Sequence, residues 1–141
     1  MEDAEESLDA KLAKARQAKI DREQTAVDAA KARELEALEL EEKYTAVLGT
    51  RHVTWDMLTT SEGTFIVKLG EPVLWKRIRA KFKGDNEPTI EEIHGFVMPC
   101  LVYPSIEKFL EITGRRVAVA TVLAGLLADL YGAKEIDTRG K

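Results

Sequence analysis

From Met1 to Leu48 the chain contains neither glycine nor proline. Those two residues break helices most strongly, and the stretch is filled instead by Ala, Glu, Lys, Leu, Arg and Gln, the best helix formers. The pattern predicts one long helix. Its larger apolar residues are Leu8, Leu12, Ile20, Val27, Leu35 and Leu38, with Ala15, Ala18, Ala26 and Ala30 filling parts of the same side. A stripe that thin buries little by itself. At 1.5 Å per residue such a helix runs roughly 60 Å, beyond the ~25 to 30 Å breadth of the domain the remaining residues could form. Part of it must protrude as a solvated arm, fray, or pair with a second copy or another protein.

With 141 residues in total, the chain has enough left for one packed domain and too little for two. A single cysteine excludes an internal disulfide and is compatible with a reducing cytoplasm. The acidic start, MEDAEESLDA, lacks the basic and apolar regions of a secretory signal, so a cytoplasmic location is expected. The most apolar run, from Val117 to Ala128, is bounded by Arg116 and Asp129 and falls short of the ~20 residues a bilayer span needs. Residues 1–48 carry 13 acidic and 8 basic side chains, a net of −5, while residues 49–141 carry 12 and 13, a net of +1. With the acidity gathered in the N-terminal third, nothing points to nucleic acid.

After Gly49 the apolar period shortens toward 2. His52–Met57 and Thr64–Leu69 read as two strands, with Val53, Trp55 and Met57 on one face of the first and Phe65, Val67 and Leu69 on one face of the second. Ser61-Glu62-Gly63 supplies a turn, so the segment is expected to be a β-hairpin lying on helices. Pro72 suits the first turn of a helix carrying Leu74, Trp75, Ile78 and Phe82, broken by Gly84-Asp85-Asn86. Thr89 and Glu92 have capping-box spacing and open a helix with Ile90, Ile93, Val97 and Leu101, which Pro99 should end or kink. Pro104-Ser105 starts a short helix through Ile106, Phe109 and Leu110, closed by Gly114, and an apolar helix follows from Val117 to Tyr131-Gly132. Residues 133–141 read as a loose tail. The expected fold is mainly α with a small β-hairpin: a helical arm over 1–48 and a compact α+β domain over 49–132.

The stretch FVMPCLVYPS puts Cys100 between Pro99 and Pro104 in apolar surroundings. A nucleophile would need an activating base, and His94, six residues away, is about 120° out of alignment on a helix. Cys100 is therefore read as packing, with a kink at Pro99 the one arrangement that would rescue reactivity. One Cys and two separated His match no metal signature, and no phosphate loop, dinucleotide fingerprint or serine elbow is present, so no catalytic residue, metal or cofactor is expected. The basic run from Lys76 to Lys83 reads as a solvated helix face, with an acidic protein surface or phosphate as the binding alternatives.

The order of elements from Thr64 to Gly132 resembles that of phage tail assembly chaperones: a strand, a helix led by Pro72, and a Cys-apolar-apolar-x-Pro-Ser segment formed here by Cys100, Pro104 and Ser105, followed by a short amphipathic helix and an apolar one. The resemblance implies a non-catalytic protein of the host cytoplasm that engages the long helical tape-measure protein, and the tail-tube subunit with it, before the tail is complete. It does not extend to the first strand or the arm. The partner-facing residues expected are Val122, Leu123, Leu126 and Leu127 of the apolar helix, together with Tyr103 and Trp75, with burial of that helix inside the monomer as the competing reading. The alternative function is a permanent structural subunit of the virion, with the arm as a strut or as the contact between copies.

Overall fold

The computed structural model describes residues 7–83 and 87–132, without the side chains of Phe82 and Lys83. The expected Gly84–Asn86 break, the apolar role of Phe82 and the C-terminal tail lie outside the described residues. The fold is α+β, and the described residues form a long N-terminal helix, a small antiparallel sheet and four further α-helices.

Helix α1 spans Leu8–Leu48 and is capped by Ser7, whose hydroxyl accepts the Ala10 N–H at 3.1 Å. Gly49, at φ 93°, ends it. Strands β1 (Trp55–Thr60) and β2 (Gly63–Lys68) form the hairpin, and β3 (Leu101–Tyr103) adds a third, antiparallel strand, in the order β1-β2-β3. Helices α2 (Pro72–Lys83), α3 (Ile90–Val97), α4 (Ile106–Arg115) and α5 (Val117–Leu130) complete the domain, with a single 3-10 turn at Met98–Cys100 between α3 and β3.

The sheet is covered on both faces. Register places Met57 opposite Ile66 and Ile66 opposite Tyr103, and this face, with Trp55, meets the C-terminal part of α1 through Tyr44, whose ring centre is 6.5 Å from that of Trp55. Phe65 and Val67 point the other way, into a core shared with Ile93, Phe96, Val97, Phe109, Ile112, Leu123 and Leu127. Burial on both sides explains why Thr64 to Val67 are all buried instead of alternating.

Four expectations need correction. The first strand begins at Trp55, not His52: His52 takes φ 73°, which breaks the extended backbone, and Val53 stands 63% exposed in the turn. Asp56 holds that turn, its carboxylate accepting the Met57 N–H at 2.7 Å and lying 3.1 Å from both Arg51 Nε and His52 Nδ1. Leu69 falls just past β2, and the hairpin is a three-stranded sheet because Leu101, expected at the end of a helix, pairs with Val67. Helix α4 runs through Gly114 to Arg115, where an added Cβ would meet only open space.

The arm also divides. Arg33, Ala37, Leu40, Glu41, Tyr44 and Leu48 recur at helical spacing and are shielded against the sheet, whereas every described residue from 11 to 32 is exposed. Arg51 pairs with Glu41, and Trp55 Nε1–H donates to the Gly49 carbonyl at 2.8 Å, tying the last turns of α1 to β1. The projecting part is thus residues 8–32, and residues 33–48 belong to the compact unit.

Candidate interaction surfaces

The Cys-x-x-x-Pro-Ser segment acts as a joint. The 3-10 turn that Pro99 imposes swings Cys100 inward, where it is 1% exposed. The peptide between Tyr103 and Pro104 is cis, and Ser105 then caps α4 by accepting the Lys108 N–H at 3.2 Å. Pro72 occupies the first position of α2, where its missing N–H costs nothing. The four motif residues therefore shape the backbone around the core.

Cys100 has the surroundings of a packed residue. Its Sγ is 3.8 Å from the Tyr131 hydroxyl, and burial pushes the thiol up from its ordinary pKa, opposed in part by that hydroxyl and the Gly70 backbone. His94 instead sets its ring against Phe109, centres 5.5 Å apart, and His52 sits at the Asp56 turn. No group of three or more potential metal ligands occurs among the described residues, and no helix there is long and apolar enough to cross a membrane.

Helix α5 turns inward a side that mixes large and small residues. Val119, Ala120, Leu123, Ala124, Leu127 and Ala128 are buried, and Ala120, Ala124 and Ala128, one per turn, let α5 lie close to its neighbours. Leu123 and Leu127 are 0% exposed and belong to the core, which corrects their expected place on a partner-facing surface. Val122 is half exposed and Leu126 half buried, so only these two of the four border solvent.

Trp75 joins a cluster of rings. It stacks on Tyr131 at 6.2 Å between centres and 11° between planes, and lies 6.1 Å from Phe96. Tyr103 is on the other side of the molecule, half buried where the sheet meets α1, its hydroxyl pKa raised by burial and then by Glu36 and Tyr44. The structure thus does not bring Tyr103, Trp75 and Val122 together as one surface.

It builds a different concavity, which sequence reasoning missed. Between α2 and α3 lies an open groove of about 240 Å³ lined by Leu74, Arg77, Ile78, Glu92, Gly95 and Phe96. Its floor is apolar, and Arg77 and Glu92 bring charge to it. Glu92 is fixed by the capping box, its Oε1 accepting the Thr89 N–H at 2.9 Å, and this bond holds its carboxyl below the usual range. Lys81 Nζ stands 3.8 Å from Glu92 Oε2, so Lys81 and Arg77 of the basic run border the groove while Lys76 and Arg79 face solvent. The available signal was Gly95, a glycine inside an amphipathic helix. A Cβ there would meet nothing within 4 Å, so packing does not require the glycine.

No protein-family model matches this chain, and neither a curated protein nor a solved structure matches it.

Proposed function

We propose that this protein is a non-catalytic phage tail assembly chaperone, which holds an apolar helical segment of the tape-measure protein, and with it tail-tube subunits, in the host cytoplasm before the tail is complete. The observation that carries the binding part of this reading is Gly95. Glycine inside a helix costs roughly 0.5–1 kcal/mol relative to alanine, and here neither a positive φ nor a close neighbour offsets the cost. What the missing side chain leaves is an open, apolar groove floor.

The groove's volume, about 240 Å³, is below the ~300 Å³ at which small-molecule sites begin. It suits one or two aliphatic anchors of a helix laid across α2 and α3, with Arg77 and Glu92 selecting its polar edge. The resemblance of its element order to tail assembly chaperones supports the tape-measure protein as the client.

Co-expression with tape-measure fragments, followed by pull-down, tests the reading. The wild-type chain should retain a fragment, and Gly95→Trp, which fills the groove from an unobstructed position, should lose at least about tenfold in retention at an unchanged melting temperature. Failure of the wild type to retain any fragment, or full retention by Gly95→Trp, overturns it. Mass spectrometry of finished particles separates the chaperone, which is absent, from a virion subunit, which is present in fixed number.

A further inference from the structure

Seven large aliphatic residues of α1 are open to solvent, and all but Val47 (70%), which lies about half a turn away, follow one line: Leu8 (83%), Leu12 (48%), Ile20 (55%), Val27 (47%), Leu35 (58%) and Leu38 (56%). Their separations are 4, 8, 7, 8 and 3 residues. That is thirty residues over eight turns, about 3.75 per turn, slightly above the 3.6 of a straight helix, so the six form one seam that winds slowly around α1. Averaged around a straight axis the seam nearly disappears, which is why the helix looks barely amphipathic. Where α1 reaches the sheet, Ala37 and Tyr44 face inward and Leu35 and Leu38 face away. The seam therefore stays continuous and uncovered past the docked segment.

Charge along α1 indicates what covers it. Residues 8–32 hold 6 basic and 4 acidic side chains, a net of +2, while residues 33–48 hold 2 and 5, a net of −3. Parallel, in-register pairing of two copies would set like against like. Antiparallel pairing sets the basic half of each helix on the acidic half of the other. The seam also has a centre: Val27 is one residue from the midpoint of Leu8–Leu48, and two of the charged seam positions, Glu23 and Lys31, stand four residues to either side of it, with Arg16 a third between Leu12 and Ile20. A two-fold axis at Val27 places Glu23 of each copy opposite Lys31 of the other, and brings Arg16 and Lys19 level with Leu38 and Leu35, beside Glu36 and Glu39.

We propose that α1 is a self-association helix, and that two copies of this chain pair antiparallel along the seam with their two-fold axis at Val27. The two compact domains then lie at opposite ends of the pair. Leu8 and Leu12 of each copy reach the level of Ala46 and Glu42 of the other, and the α2–α3 grooves remain free. A seam period above 3.6 calls for a right-handed wrap of the two helices.

Sedimentation equilibrium of the full chain should give twice the 15.7 kDa protomer mass. Under mild oxidation Val27→Cys, which meets its own copy at the axis, should form a disulfide-linked dimer, and Leu8→Cys should not; the native Cys100 is buried. Glu23→Lys alone and Lys31→Glu alone should each weaken the dimer by about tenfold, because each puts like charges together twice, and the double exchange should restore it. Within one helix these two positions are eight residues apart and do not touch, so rescue reports contact between copies. A chain that stays monomeric at about 100 μM, a Leu8→Cys disulfide as efficient as that of Val27→Cys, or a double exchange without rescue overturns the proposal; this concentration bound corresponds to an association too weak to matter in solution. A monomer that still retains the tape-measure fragment would overturn self-association and leave the groove reading standing.

Discussion

Cys100 Sγ lies 3.8 Å from the Tyr131 hydroxyl, across 31 residues of sequence. The same hydroxyl accepts the Gly70 N–H at 3.0 Å and donates to the Glu71 carbonyl at 3.1 Å. Three segments meet there: the loop from β2 to α2, the 3-10 turn after α3, and the end of α5. Gly70 makes the meeting possible, since a Cβ on it would stand 2.9 Å from Cys100 Sγ and 3.1 Å from Leu74 Cδ1. The cysteine is the apolar floor under a tyrosine that closes the domain.

Cys100→Ala should therefore cost about 1–3 kcal/mol of unfolding free energy through lost burial, and leave client retention intact. The native thiol should react slowly with an aromatic disulfide reagent at neutral pH and rapidly once urea unfolds the chain. Fast reaction of the folded protein, or loss of retention in a folded Cys100→Ala variant, would show that the thiol has a chemical role.

Alkaline pH should destabilise the domain through the same cluster. Burial, and then the neighbouring Cys100, push Tyr131 up from 10.0 to about 12, and burial raises Cys100 above 9.0. In both cases the fold favours the protonated form. Their stabilisation is thus complete below about pH 9 and is lost as pH rises toward 12. Tyr131→Phe removes two hydrogen bonds, so it should lower stability at pH 7 by roughly 1–3 kcal/mol and flatten the decline above pH 10. Urea midpoints measured from pH 7 to 11 check both; an unchanged alkaline slope in the variant would assign the decline to other groups.

Truncation should separate the two parts of α1. Removing residues 1–30 takes away described positions that are all exposed apart from the half-buried Ala10, and should change the unfolding free energy of dilute protein by less than about 1 kcal/mol. Removal through residue 45 strips Ala37 and Tyr44 from the sheet, uncovers the face carrying Ile66 and Trp55, and should cost roughly 3–5 kcal/mol or prevent folding. Similar melting of the two truncated chains would mean that the docking of α1 contributes nothing.

Glycines should split by surroundings. Gly70→Ala must displace Cys100 or Leu74 and should destabilise by about 1–3 kcal/mol. Gly95→Ala and Gly125→Ala add a methyl group where nothing stands within 4 Å, in the helices α3 and α5, and should each stabilise by about 0.5–1 kcal/mol. Thermal melts of the three variants decide this; destabilisation by Gly95→Ala would show that the glycine serves the fold and would remove the main support for an open groove.

What the sequence determined by itself is local. The long helix followed from an absence of breakers, the capping box from Thr89 and Glu92, the helix starts from Pro72 and Ser105, and the facing of Phe65 and Val67 from a period of two. Each depends on neighbours within a turn or two of the chain. The tertiary structure decided the rest, because it depends on which surfaces meet. β3 is three residues long and has no signal apart from the strand it joins. The inward side of α5 combines Leu123 and Leu127 with close approach through Ala120, Ala124 and Ala128, which leaves Val122 outside. The division of α1 at about Arg33 arises because the sheet covers only the last turns of a helix that has no breaker and only a thin apolar stripe on either side of that point. The α2–α3 groove exists only where two helices consecutive in sequence pack so as to leave a gap over Gly95, a spacing that neither helix's own pattern fixes.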